Sequence, residues 1–132
     1  LHDDHTVTMV RQYRAALDLE LLEIPAGKRD VADEPPEATA QRELAEEVGL
    51  RAGSLVLLAE FVNSAGFTDE RSWVFLATDL STVATDRQGI EEDHLRVERV
   101  PLHEVPSMIA SARLIDAKSI IGLLLTIDRV GG

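Results

Sequence analysis

The chain has 132 residues, 45% of them hydrophobic and 28% charged; that is enough apolar content to fill the core of a single domain spanning residues 1–132, and too much for a disordered segment. Cysteine is absent, which excludes disulfides, thiolate nucleophiles and Cys-based zinc sites and fits a reducing compartment, so a cytoplasmic location is expected. With 24 acidic and 13 basic residues the formal charge is −11; such a chain repels polyanions and attracts cations, and no nucleic acid partner is expected. No run of about 18 apolar residues is present, so neither a transmembrane helix nor a membrane partner is expected. The start, Leu1 to His5, is polar and acidic rather than a secretory signal.

In chain order, Thr6 to Tyr13 alternates as a strand and Leu19 to Ile24 is a short apolar run with two Glu, also strand-like. Pro25-Ala26-Gly27 breaks it. Pro35-Pro36 then marks a first helical turn, Glu37 to Val48 follows with good helix formers, and Gly49 is a natural C-cap. Leu55 to Val62 and Ser72 to Thr78 read as strands around an Asn63-Ser64-Ala65-Gly66 loop. Ser81 to Asp93 is polar and reads as loop, and Leu95 to Val100 as a strand. A short helix is expected from near Leu102 past Pro106. Asp116 can N-cap a last helix reaching about Arg129, with Ile120, Ile121, Leu123, Leu124 and Ile127 as its apolar face. Strands interleaved with helices in this way suggest an α/β sandwich.

The negative charge is local. Residues 30–50 hold seven acids and one base, net −6, and residues 91–104 hold five acids and two bases, net −3. In the first segment Glu43, Glu46 and Glu47 are three and four apart, so on a helix they crowd one side of its last turns. Each like-charged pair costs roughly 0.3 kcal/mol, and the C-terminal end of the helix dipole disfavours them further. Arg42 cannot neutralise all three. A divalent cation would turn the repulsion into ligation, and hard oxygen donors favour Mg²⁺ or Mn²⁺ over zinc. The competing reading of the same spacing is a solvated acidic helix with Arg42 as its salt-bridge partner.

The stretch resembles the Nudix box, G-x5-E-x7-R-E-U-x-E-E-x-G-U with U aliphatic. Arg42-Glu43-Leu44-Ala45-Glu46-Glu47-Val48-Gly49-Leu50 matches its second half at every specified position, and Glu34 stands at the required spacing before Arg42. Six residues rather than five separate Gly27 from Glu34, which lengthens the loop and leaves the helical register intact. The resemblance implies a Nudix fold: an α/β/α sandwich with a mixed β-sheet, and a loop–helix–loop catalytic motif. It implies that Glu43, Glu46 and Glu47 ligate Mg²⁺, with Mn²⁺ as a substitute, and that Ala26 adds a backbone carbonyl. Arg42 would orient the carboxylates, and Glu34 would support the loop rather than touch the metal.

Outside the box, Val10 to Arg14 followed by Glu20 to Gly27, Gly66-Phe67-Thr68-Asp69-Glu70, and Asp116 to Leu123 resemble the ADP-ribose pyrophosphatase-like subgroup. Many of its members carry Pro shortly before the Gly-Phe; here that position is Ala65. The activity implied is metal-dependent hydrolysis of a nucleoside diphosphate sugar, ADP-ribose giving AMP and ribose 5-phosphate. The alternatives are another Nudix substrate (NADH, a different nucleotide sugar, a dinucleotide polyphosphate) and a Nudix-fold sensor that binds without cleaving. The catalytic residues implied are Glu46 and a general base from the second acidic cluster, Glu92 first and Glu91 next. Arg11 and Arg14 would grip phosphate, and Phe67 or Tyr13 would stack on adenine. The four His residues suggest no site. The subgroup often forms homodimers through an N-terminal strand region; here the chain starts only a few residues before Arg11, so much of that region is expected to be missing.

Overall fold

The computed structural model describes residues 1–29, 31–84 and 95–131. Strand β1 (Thr6–Arg14) is the centre of a three-stranded sheet, with β2 (Leu19–Glu23) on one side and β5 (Arg96–Pro101) on the other. The β1–β2 hairpin sets Val10 opposite Glu23 and Arg14 opposite Leu19. The β1–β5 pairing sets Val7 opposite Val100 and Arg11 opposite Arg96. A second sheet pairs β3 (Leu50–Val62) with β4 (Arg71–Thr82). Among the described residues every strand pairing is antiparallel, so the parallel pairing of the expected mixed sheet is not found among them.

Helix α1 (Pro36–Val48) begins with Pro35 as N-cap and ends at Gly49, whose φ of 67° lets its N–H return to Ala45 O at 3.1 Å. Gly is the residue that takes this left-handed turn without a Cβ penalty. The chain then enters β3 at once. Sequence pattern placed the strand's start five residues later, because Arg51, Gly53 and Ser54 interrupt the apolar run. Pairing with the far end of β4 overrides that signal: Arg51 faces Ser81 and Ala52 faces Leu80. Ser81 and Thr82, read as loop, are therefore strand. Gln41 on α1 clamps β3 by donating to Ala52 O at 2.9 Å and accepting from Ala52 N at 2.8 Å.

After β5 a 3₁₀ turn (Leu102–Glu104) leads into α2 (Val105–Ala110), and α3 (Ala117–Arg129) closes the described chain. Asp116 caps α3 by accepting from Ser119 N at 3.2 Å. The core gathers Met9, Leu22, Val100, Val105, Met108, Leu114 and Leu123 between the three-stranded sheet and helices α2 and α3. The buried stripe of α3 is Ser119, Gly122, Leu123 and Thr126, the i, i+3, i+4, i+7 set of one helical face. Leu124, expected on the apolar face, is 44% exposed. The register follows from Gly122: a Cβ there would lie 2.7 Å from Val74 Cγ1, so the helix backbone lies directly on β4. The polar members of the stripe are satisfied, Ser119 Oγ accepting from Ile24 N at 2.9 Å and Thr126 Oγ1 donating to Gly122 O at 2.8 Å. No helix among the described residues is long and apolar enough to cross a membrane.

Gly122→Ala should lower stability by about 1 kcal/mol, the overpacking against stiff Val74 exceeding the gain in helix propensity. Urea unfolding checks this, and adding Val74→Ala should remove the steric part of the loss.

Candidate metal and substrate site

The acidic helix is held by a network centred on Arg42. Its guanidinium donates to Glu34 from Nε (3.2 Å) and Nη2 (3.1 Å), and from Nη1 to Glu43 (3.1 Å) and Glu46 (3.5 Å). The Glu34 hydrogen bonds, with the nearby carboxylates, raise the Arg42 pKa further above its ordinary value. Arg42 and Thr39, which donates to Glu34 Oε1 at 2.7 Å, hold the Glu34 carboxyl below the usual carboxylate range. Glu34 is thus a partner of Arg42, a contact beyond the loop support that the resemblance implies. Glu47 is buried and turns elsewhere, its Oε2 accepting from Ala26 N at 3.1 Å.

Gly27 explains itself by contact. A Cβ there would sit 2.0 Å from Glu43 Cδ, so the entry loop lies on the Glu43 carboxylate and leaves no room for a side chain. Glu43 and Glu47 therefore flank the Ala26–Gly27 peptide from the helix side. All side-chain donors in this set are carboxylate oxygens, and this chemistry fits a hard divalent cation. Among the described residues no group of three or more His, Asp or Glu is assembled to hold a metal ion; the carboxylates are turned to Arg42 and to the Ala26 N–H.

A cleft of about 1290 Å³ opens beside this network, lined among others by Arg14, Gly27, Glu43, Glu47, Trp73 and Lys118. Behind its lining residues Arg14 and Lys118 lies a group that sequence reading passed over. Glu23, 2% exposed, accepts from Arg14 Nε (2.9 Å) and Nη2 (2.8 Å), from Lys118 Nζ (2.6 Å) and, more weakly, from Gln12 Nε2 (3.4 Å). Burial pushes its carboxyl up; the Arg14 and Lys118 hydrogen bonds and charges outweigh burial, and the pKa falls below the ordinary value. Lys118 also reaches Asp116 at 3.0 Å, so the cluster ties β2 to the start of α3. The available signal was a Glu at the inner end of an apolar strand, which demands a partner when buried.

The other sequence candidates divide. Ala26, Glu43 and Glu47 line the cleft, as does Arg14, with its guanidinium engaged on Glu23. Glu46 joins through Arg42. Arg11 is outside the cleft lining and pairs with Glu98 of β5 at 2.6 Å. Phe67 is 89% exposed and lines a separate shallow pocket with Val62, Gly66 and Arg71. Tyr13 is also exposed, its hydroxyl donating to Asp18 at 2.6 Å. A core role for Phe67 or Tyr13 is excluded by that exposure. The aromatic side chains that do line the cleft are Phe61, Trp73 and Phe75. Glu91 and Glu92 lie outside the described residues.

The NUDIX domain family model matches residues 1–121. The chain belongs to the Nudix family. Two ADP-ribose pyrophosphatases are similar to this Nudix chain: that of Bacillus subtilis, 39% identical over 117 residues, and that of Mycobacterium tuberculosis, 37% identical over 124. The alignments cover 89% and 94% of this chain but 63% and 60% of those relatives, so the chain spans less than two thirds of their length. A solved structure described as an ADP compounds hydrolase superposes with a TM-score of 0.83 over 98% of this chain and 68% of its own, at 24% identity; this establishes the Nudix fold. Nudix hydrolases generally use divalent metal ions.

Glu23→Gln should cost about 2 kcal/mol at neutral pH, less than a fully buried pair because Arg14 can rehydrate. The pKa of Glu23 is lowered on folding, so its pairing contributes fully above about pH 4.5 and is lost as pH falls through the lowered folded value. Denaturant titrations of both proteins should therefore show the gap closing in acid.

Proposed function

We propose that residues 1–132 act as one Nudix hydrolase domain that cleaves the pyrophosphate of ADP-ribose, with Mg²⁺ as its metal, giving AMP and ribose 5-phosphate. The observation that carries this is the 37–39% identity to two ADP-ribose pyrophosphatases across about nine tenths of the chain. The intact Arg42–Glu47 set, which a sensor has no need to keep, supports hydrolysis over binding alone.

Glu43, Glu46 and Glu47, with the Ala26 carbonyl, would hold the metal. When bound, a divalent ion neutralises pyrophosphate charge and lowers the pKa of a ligated water. Arg42 keeps Glu43 and Glu46 side by side, where repulsion would otherwise drive them apart. The Ala26 N–H fixes Glu47 against the entry loop. Arg14, aimed by Glu23 along the cleft wall, is the donor for an anionic phosphate oxygen. Glu92, with Glu91 next to it, is the proposed base that takes a proton from the attacking water. A cytoplasmic location agrees with the absence of cysteine. A homodimer is the proposed assembly, supported by exposed Tyr13, Leu17 and Leu19 gathered on the β1–β2 hairpin.

Of ADP-ribose, NADH, UDP-glucose and diadenosine polyphosphates, each incubated separately with Mg²⁺, ADP-ribose should be hydrolysed fastest, with AMP and ribose 5-phosphate as its products by chromatography. No turnover of any of these substrates by folded protein would end the proposal. Glu47→Gln, nearly isosteric, should lower turnover by about two orders of magnitude. Glu92→Gln should lower kcat with little change in the Mg²⁺ concentration for half-maximal rate; the same effect from Glu91→Gln instead would move the base by one residue.

A further inference from the structure

The loop between Gly27 and Glu34 is one residue longer than the motif it resembles, and it still delivers Glu34 to Arg42 with two hydrogen bonds. The contacts of Arg29 show what holds it. The Arg29 guanidinium carbon lies 4.8 Å from the centroid of the Trp73 ring, within cation–π range. Its Nη2 donates to Glu34 O at 2.6 Å. Trp73 is itself fixed, its Nε1 donating to Glu60 Oε1 across the β3–β4 pair at 3.1 Å. At the other end of the loop Asp33 takes a left-handed φ of 62° and Glu34 N donates to Val31 O at 3.3 Å. A continuous line of contacts therefore runs from the second sheet to the acidic helix: Glu60, Trp73, Arg29, Glu34, Arg42, then Glu43 and Glu46.

We infer that Arg29, stacked on Trp73 and bonded to the Glu34 carbonyl, is a positioning residue that anchors the lengthened loop and thereby sets Arg42 and the metal-binding carboxylates. This rests on the metal-site reading above and extends it to a pair on the cleft wall that lies outside the carboxylate set. The loop without Arg29 loses its hold on β4, Glu34 wanders from Arg42, and Glu43 and Glu46 lose their shared cation. The consequence is weaker metal affinity with the reactive groups unchanged.

Trp73 is the one tryptophan of the chain, so intrinsic fluorescence reports the stack directly. Arg29→Ala should shift the emission of Trp73. By manganese electron paramagnetic resonance it should weaken Mn²⁺ binding about fivefold, in keeping with the loss of one exposed cation–π contact and one hydrogen bond. With ADP-ribose, the Mg²⁺ concentration for half-maximal rate should rise to match, while kcat at saturating Mg²⁺ stays near that of the unaltered protein. Arg29→Lys, which retains a cation for the ring and a donor for the carbonyl, should recover most of the affinity. Trp73→Leu should reproduce the Mn²⁺ defect, and a circular dichroism melt shows whether each variant is folded. Unchanged Mn²⁺ affinity in folded Arg29→Ala, with the emission shifted to show the stack is lost, would overturn the inference. A loss of kcat with metal affinity intact would overturn it too. Failure of the unaltered protein to bind Mn²⁺ would instead overturn the metal-site reading beneath it.

Discussion

One guanidinium carries the organisation of the acidic helix. Glu43, Glu46 and Glu47 are crowded on its last turns, where mutual repulsion and the helix dipole both work against them. Arg42 answers this by reaching backward to Glu34 and forward to Glu43 and Glu46. The negative charge is not neutralised so much as arranged: three carboxylates share one cation, and Glu47 is held by a backbone N–H. What remains is a set of carboxylates beside a cleft that Glu43 and Glu47 help to line, and clustered negative charge of this kind favours cations.

The rest of the fold serves to bring separate layers against that helix. Gln41 fastens it to β3 by a two-way amide clamp on Ala52. Gly27 lets the entry loop lie on Glu43 with no intervening side chain. The buried Glu23 draws Arg14 from β1 and Lys118 from α3 onto one carboxylate, and Ser119 of the same helix receives the N–H of Ile24 just beyond. Each of these contacts joins different elements of the fold, and those to Lys118 and Ser119 span 95 positions. The Gln41, Glu23 and Ser119 contacts also place a polar group where burial without its partner would be costly, so they specify the arrangement as well as stabilise it.

Local signals carried the secondary structure far. Pro36 in the first turn and left-handed Gly49 at the end bracket α1 as their conformational preferences require, and the Asp116 side chain caps α3. They failed where pairing outweighs propensity, as at Arg51 to Ser54, which join β3 because the far end of β4 supplies their backbone partners. They also failed for Leu124, because the contact between Gly122 and Val74 chooses which stripe of α3 faces inward.

The sequence by itself determined the acidic helix, the spacing of its carboxylates and the membership of the family, because those depend on helical periodicity and on a contiguous motif. Tertiary structure alone decided which cations and aromatics meet the cleft. Arg14 is shared with buried Glu23, Arg11 is drawn to Glu98, Phe67 is left on an exposed loop, and Trp73 with Arg29 comes to the motif's edge. Those outcomes depend on strand register and on which helix packs across which sheet. The Arg11–Glu98 and Arg29–Trp73 contacts join residues tens of positions apart, and local spacing holds no record of them.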